Sequence, residues 1–370
     1  MSMSKSLVTV IGGGIFGCTT ALELSAKGFD VNLFELNDDI LKGASKNNFN
    51  RVHLGYHYPR DLETALQSKT GYENFIRTFS ECIVEGFPNY YFIAKEGSKT
   101  SPSQFIDFCE KAGLPYETVK SNEIELEVQN CSMGIRANEV VYDHELLRKN
   151  IRKSFLKSSN ISVKCNSKID IISRQSSNFQ TVLSSGEVFE SDAIVNSAYS
   201  NINAFDAMIG RIPVERQYEY TVVPIIEADF DYVGIAVMDG LFPSMIPFGN
   251  SGLSILYHVE HSVIDTEVTN QLNPKWLSPN TSPFEKLDKS EFFNKFKEAC
   301  APFIPAIEKT RLKGFLQGPR MVLANRDKDD ARPSLVNSDC DGFYLTIFSG
   351  KVDHSLDVAQ DVAKKLGRIL

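Results

Sequence analysis

Gly12, Gly14 and Gly17 follow one short apolar run and Glu35 closes the next, a spacing of glycines and acid suited to holding a dinucleotide. Gly12 permits a tight turn, Gly14 lets backbone N–H groups approach a pyrophosphate, and Gly17 allows close packing of helix on strand. Glu35 can accept hydrogen bonds from a ribose diol and disfavours a 2′-phosphate, whose charge it would meet with its own. Two histidines, His53 and His57, titrate near working pH when unperturbed and are candidate bases. Arg51, Arg60, Arg320 and Arg326 are candidate anchors for a carboxylate, which a guanidinium grips with two hydrogen bonds. Arg320 leads that set because it follows the Gly318-Pro319 turn. Tyr56, Tyr58, Tyr218, Tyr220 and Tyr257 can line a pocket or fill a core, and His258 reads as a core or wall residue.

The elements that must position these groups follow from periodicity. Residues 7–11 (LVTVI) read as a buried parallel strand, residues 15–27 as a helix stopped by Gly28, and residues 31–35 (VNLFE) as a second strand. This is the compact β–turn–α–β unit of a doubly wound sheet. Further on, 65–80, 103–112 and 143–156 read as helices, the last capped by Asp143. Residues 90–94, 161–165, 169–173 and 193–197 read as strands, with a hairpin turn at Ser184-Ser185-Gly186. The stretch 218–260 is rich in β-branched and aromatic residues and predicts an antiparallel sheet, followed by a surface loop over 271–289. Residues 290–310 predict a helix interrupted by Pro302 and Pro305, and the chain ends in a strand, a turn at Gly350 and a helix over 355–366. The expected fold is α/β: a doubly wound Rossmann-like domain from 1–80, 135–212 and 312–370, interleaved with an α+β substrate domain from 81–134 and 213–311 built on an antiparallel sheet. A cleft between two such lobes is where ligands bind.

Composition sets limits. Of 370 residues, 42% are hydrophobic and 23% charged, an ordinary globular balance that excludes wholesale disorder. Lys+Arg 39 against Asp+Glu 47 gives a net charge of −8, wrong for a polyanion-binding surface, so nucleic acid is not an expected partner. No segment approaches the roughly 20 apolar residues that span a bilayer, and the glycine-broken start does not read as a signal peptide. The seven scattered cysteines form no CxxC pair, so neither a disulfide frame nor a metal site is expected and the cytoplasm is the expected location.

After Glu35 the chain does not continue in regular βα units, as a nicotinamide domain would, but enters the polar run Lys42–Arg60. This run, with its N-R-V-H-L-G-Y-H-Y-P stretch over 50–59, resembles the D-amino-acid oxidase superfamily of FAD-dependent oxidoreductases, and most of all its hydroxy-acid dehydrogenase branch. Residues 134–147, 163–169 and 193–201, with Gly318-Pro319-Arg320, Arg332-Pro333-Ser334, Gly342–Leu345 and Ser349-Gly350-Lys351, resemble that family's later motifs in order. Two positions depart from its pattern: Tyr199 replaces a usual glycine, and Gly350–His354 lacks a second one.

The resemblance implies non-covalent FAD. It implies cofactor contacts at Gly12, Gly14, Ile15, Phe16 and Gly17, at Glu35 and Leu36, and at Gly43, Ala44 and Ser45. It extends them to Asn50, Arg51, Val52, His53 and Leu54, to Ile169, to Ser197, Ala198 and Tyr199, to Gly318, and to Gly350, Lys351, Val352, Asp353 and His354. The implied reaction oxidises a C–N or C–O bond of a small carboxylate-bearing amine, amino acid or 2-hydroxy acid, with oxygen or a quinone as acceptor. Lys351 would stabilise charge on the reduced ring, Arg320 would anchor the substrate, and His53 would take a proton, donate a hydrogen bond to the flavin, or link to it covalently. A tailoring enzyme for a larger metabolite or sugar acid, a flavin-binding protein without catalysis and an NAD-dependent dehydrogenase are the rival readings.

Overall fold

Val8 and Val10 point to one face of the strand Leu7–Ile11 and Ile11 to the other, so both faces of this strand are buried. The same alternation holds in its neighbours. Val31 and Leu33, Ala193 and Val195, and Leu345 and Ile347 join the first face, while Phe34, Ile194 and Tyr344 join the second. The computed structural model describes residues 5–324 and 333–370. Its six-stranded sheet runs in the order Leu335–Asp339, Tyr344–Phe348, Ala193–Asn196, Leu7–Ile11, Asp30–Phe34, Ile161–Lys164. All neighbours are parallel except the antiparallel edge strand Leu335–Asp339.

One face is covered by the helices Ile15–Ala26, Leu62–Thr78, His144–Lys157 and Ser355–Leu366. The other carries an antiparallel meander, Ile169–Arg174, Phe179–Leu183 and Val188–Ser191, with the short helix Ile202–Met208. Asp143 accepts the Leu146 N–H at 3.0 Å and starts its helix as expected. Asp61 does the same for Thr64, so that helix begins three residues before the expected start at 65.

The second layer is a nine-stranded sheet whose long member, Arg216–Glu227, pairs along its length with Arg311–Leu323. It is antiparallel apart from the pair Asn89–Ala94 and Gly234–Met238. Residues 311–323 therefore belong to this sheet, and the expected boundary at 312 falls one strand early. Residues 131–137 also pair in it, across the expected boundary at 135. The segment 271–289 is not simply a surface loop. Three short 3-10 turns begin at Pro274, Pro279 and Pro283, and they bury Trp276 against Tyr220 and Phe284 against Phe315, with ring centroids 5.7 and 5.4 Å apart. Among the described residues no helix is long and apolar enough to cross a membrane. All seven cysteines are unpaired.

Strand polarity places the site. Leu7–Ile11, Asp30–Phe34, Ala193–Asn196 and Tyr344–Phe348 end on one side of the sheet, delivering Gly12, Glu35, Ser197 and Ser349 to a common edge. That is where open α/β sheets bind ligands. Gly17 makes the edge possible. A Cβ there would stand 1.9 Å from the Gly12 carbonyl oxygen and 2.6 Å from Ser197 Oγ. Gly17→Ala is expected to destabilise the protein by about 1–3 kcal/mol through overpacking. Urea unfolding checks this, and an unchanged midpoint would show that the helix retreats freely.

Candidate functional site

Gly12 has φ +96°, donates its N–H to Phe34 O at 2.8 Å, and leaves no room for a side chain, since a Cβ would lie 2.9 Å from Ser197 O. The turn is locked from three sides. Ser197 Oγ donates to Ile11 O at 2.6 Å, Gly13 N–H donates to Glu35 Oε2 at 2.6 Å, and Ile15 N–H donates to Ser45 Oγ at 2.9 Å. Glu35 Oε1 also accepts the Asn37 N–H at 2.8 Å and its side-chain amide at 2.6 Å. Glu35 is thus held in place by protein donors while it still lines the cavity. Gly14 differs from the other two glycines: a Cβ there meets only Ser45 Oγ, at 3.4 Å. The protein itself does not need a glycine at 14. The space it leaves opens on the cavity, beside the N-terminus of Ile15–Ala26, whose N-cap Gly14 has no side chain to cap it and whose first turn has no acid. Such a terminus with its glycine turn is a cradle for phosphate, and these residues fit a dinucleotide.

The cavity measures about 1080 Å³, above the roughly 300–1,000 Å³ of pockets for one drug-sized ligand. Among the described residues six cationic side chains line it, Lys42, Lys46, Arg51, Lys168, Arg320 and Lys351, against one acid, Glu35. Four of the six pair with acids outside the lining: Lys42 with Asp38, Arg51 with Glu139, Lys168 with Asp170 and Arg320 with Glu219.

Most of the expected residues meet in this cavity. Gly12, Gly14, Ile15, Phe16, Glu35, Leu36, Gly43, Ala44, Ser45, Arg51, His53 and Ile169 line it. So do Ser197, Ala198, Tyr199, Gly318, Arg320, Gly350, Lys351 and Val352. Gly17, Asn50, Val52, Leu54, Asp353 and His354 stand behind the wall. Val52 and Leu54 turn into two different cores, and Gly17 packs helix against turn. Asn50, at φ +53°, offers its carbonyl to the Tyr142 N–H at 2.8 Å. Arg60 does not reach the cavity because it pairs with Asp239 at 2.7 Å on another surface. Arg326 and Arg332 lie outside the described residues. Of the tyrosines, Tyr220 and Tyr257 line the cavity, whereas Tyr56, Tyr58 and Tyr218 are buried in cores, and His258 is buried away from it.

Arg320 faces Glu219 across two paired strands, its Nε bonded to that carboxylate and its Nη1 donating to Tyr257 OH at 3.3 Å. Burial opposes its charge, but Tyr257 and Glu219 outweigh burial and hold the guanidinium above its ordinary pKa. Burial, with Lys351, His57, Arg51 and His354, pushes His53 well below its ordinary pKa, so its ring is neutral. Lys351 Nζ stands 5.1 Å over the Tyr58 ring. Behind it His354 is fixed by Ser334 at 3.0 Å and Ser68 at 3.2 Å, and Ser334 Oγ in turn accepts the Gly350 N–H at 2.9 Å. The turn carrying Lys351 therefore rests on a buried neutral imidazole.

Tyr199, where a glycine was expected from the resemblance, adopts φ +52°, the left-handed region. Its hydroxyl accepts the Met321 N–H at 3.3 Å and ties the six-stranded sheet's edge to the second sheet. Sequence reasoning missed Trp276, Phe248 and Phe315 on the wall, and the buried acid Glu139 behind it. Only the alternation of Thr221, Val223 and Ile225 along their strand carried a local signal for that side.

The model of the FAD-dependent oxidoreductase family matches residues 8–347. The chain is 26% identical over 258 residues to the FAD-dependent monooxygenase FPY4 of Fusarium mangiferae, covering 68% of this chain and 64% of that protein, just under two thirds of its length. It is 25% identical over 389 aligned positions to the FAD-dependent monooxygenase kojA of Aspergillus flavus, covering 98% of this chain and 86% of that one. The L-α-glycerophosphate oxidase of Mycoplasma pneumoniae, solved with FAD bound, superimposes with a TM-score of 0.75 at 14% identity, over 99% of this chain and 95% of that one. At that identity the likeness concerns the fold.

Burial, then Lys351, lowers the His354 pKa from 6.5 to about 3. The unfolded chain binds this proton and the folded one does not, so stability is full above about pH 6.5 and falls as pH drops towards the folded value, by up to about 1.4 kcal/mol per unit. Urea unfolding between about pH 7 and pH 5 should show a shallower loss in His354→Gln than in the wild type. Equal slopes would place this titration elsewhere.

Proposed function

Because the chain belongs to the family of FAD-dependent oxidoreductases, we propose that it oxidises a C–N or C–O bond of a carboxylate-bearing amine, amino acid or 2-hydroxy acid. Bound FAD supplies the acceptor for the hydride leaving the substrate carbon. The six-stranded sheet's edge is the cofactor side in this reading. The helix N-terminus at Gly14–Phe16 meets the pyrophosphate and Glu35 meets the ribose. The nine-stranded sheet is the substrate side.

One observation carries the proposal. A single cavity is walled at once by the glycine turn, by Lys351 and His53, and by the Arg320–Tyr257 pair. With Nε given to Glu219 and Nη1 to Tyr257, Arg320 keeps N–H groups at its far end for a carboxylate, and Glu219 prevents it from turning away. In this reading His53, neutral and on the wall, takes the proton of the substrate hydroxyl or amine. Lys351 brings a positive charge to the wall, suited to offsetting charge on the reduced cofactor. The substrate side also carries Phe49, Tyr257, Phe248, Phe315 and Trp276. With the cavity's size, this favours as a second reading a larger substrate with an apolar or aromatic body behind its acidic end.

Gly14→Val is expected to fold, because the added side chain meets little protein, and to lose FAD by filling the cradle. A far-ultraviolet spectrum like wild type without yellow absorbance is the expected result, and full absorbance would refute the cofactor assignment. Arg320→Ala should weaken binding of an acidic substrate by about 2–5 kcal/mol. His53→Ala should slow anaerobic flavin reduction by about 10²–10⁴-fold. Titrating a panel of amino and hydroxy acids, small and aryl-bearing, into each variant checks both. Unchanged affinity in Arg320→Ala would remove the carboxylate anchor from the proposal.

A further inference from the structure

Glu139 stands one layer behind the cavity wall, in the short link between the strands Cys131–Ala137 and Val140–Tyr142, and its side chain is wholly buried. A buried carboxylate needs partners, and those it has all lead to the segment bearing His53. Its Oε1 accepts the Leu54 N–H at 2.8 Å. Its Oε2 accepts Tyr91 OH at 2.5 Å and lies 3.5 Å from Arg51 Nη1. Arg51 is itself bonded to Tyr91 OH at 2.6 Å, so the acid, the tyrosine and the arginine form one closed buried unit. The N–H of His53, the next amide back along the chain, is taken by a second buried carboxylate, Asp353 Oδ1, at 3.4 Å. Two successive amides are thus clamped by two acids from distant parts of the chain.

The His53 ring completes the pattern. Its Nδ1 is buried, makes no hydrogen bond, and lies 4.0 Å from Glu139 Oε1. Active-site hydrogen bonds are often long before substrate is bound and tighten afterwards. We propose that Glu139 is a positioning residue for His53: it fixes the loop through the Leu54 amide and receives the ring's Nδ1–H, leaving Nε2 as the proton acceptor towards the substrate. This rests on the reading of His53 as the base. The proton accounting is simple. The substrate's O–H or N–H proton passes to Nε2, the Nδ1 proton stays on the ring, and the carboxylate balances the imidazolium formed. The other groups facing His53 are Lys351, Asp353 and His354 from the turn before the last helix, and Arg51, His57 and Tyr58 from its own segment. Lys351, His57, Arg51 and His354 all disfavour the imidazolium; Glu139 is the acid that faces its Nδ1, whereas burial pushes the Asp353 carboxyl up to about 7.

The test uses the FAD-loaded protein and Glu139→Gln, which keeps shape and removes charge. Flavin reduction should slow about 10–100-fold, the cost typical of losing a group that orients an imidazole. The acidic limb of its pH profile should move to lower pH, because the imidazolium has lost its counter-charge. In nitrogen-15 spectra of labelled histidine, the wild-type His53 should carry its proton on Nδ1, and the variant should lose that preference. An unchanged limb and an unchanged His53 tautomer in a folded, yellow variant would overturn the inference. If Glu139→Gln does not fold, Glu139→Asp keeps the charge and draws it back by one methylene. Its limb should lie at or just below the wild-type position with a slower plateau, and a wild-type plateau would overturn the inference. Should His53→Ala itself reduce flavin at the wild-type rate, the base assignment fails first, and the two failures are told apart.

Discussion

The close approach of two chain segments at Gly12 is the constraint on which the cavity depends. The Ser197 carbonyl lies where a Gly12 side chain would begin, and the Gly12 carbonyl lies where a Gly17 side chain would begin. With both side chains absent, the helix Ile15–Ala26 starts directly at the sheet's edge, and Gly14, Ile15 and Phe16 at its N-terminus line the space between the sheets. The neighbouring strand ends are parallel, so they arrive at the same edge and bring Glu35, Ser197 and Lys351 with them. A parallel sheet concentrates its loops on one side, and here that side is the cavity.

Buried charge organises the rest. Ionised groups taken out of water are costly unless they are paired and hydrogen-bonded. Glu139 meets Arg51, Tyr91 and the Leu54 amide; Arg320 meets Glu219 and Tyr257; Glu35 meets Gly13 and Asn37. Each set fixes one side chain in one geometry. The acids that balance Arg51 and Arg320, Glu139 and Glu219, stand behind the wall and not on it.

Two features show local preference yielding to tertiary demand. Tyr199 occupies a left-handed conformation that costs a non-glycine residue on the order of 1 kcal/mol or more, and its hydroxyl gains the Met321 amide across the two sheets. The segment 271–289, polar and proline-rich, reads as solvent-facing, yet Trp276 and Phe284 anchor it in the second core. Composition describes the average of a segment, whereas one large aromatic side chain decides where it docks.

The sequence by itself determined what is local. The strand–turn–helix–strand unit over 7–35, the roles open to its three glycines, the Asp143 cap and the final helix over 355–366 all follow from periodicity and from residues within one or two turns of each other. The polar run after Glu35 also carried enough pattern to indicate the family, and with it the cofactor. Tertiary structure decided the pairings that span the chain. Glu139 lies 88 positions from Arg51, Glu219 lies 101 from Arg320, and His354 lies 286 from Ser68. No periodicity encodes such pairs. They depend on which strands become neighbours and in what register, and a slip of one residue in Arg311–Leu323 against Arg216–Glu227 would turn Arg320 to the opposite face. The glycine turn is therefore legible in the chain itself, because glycine geometry is local. The residues walling the far side of the cavity are fixed only when the two sheets close on each other, because burial and strand register are properties of the whole fold.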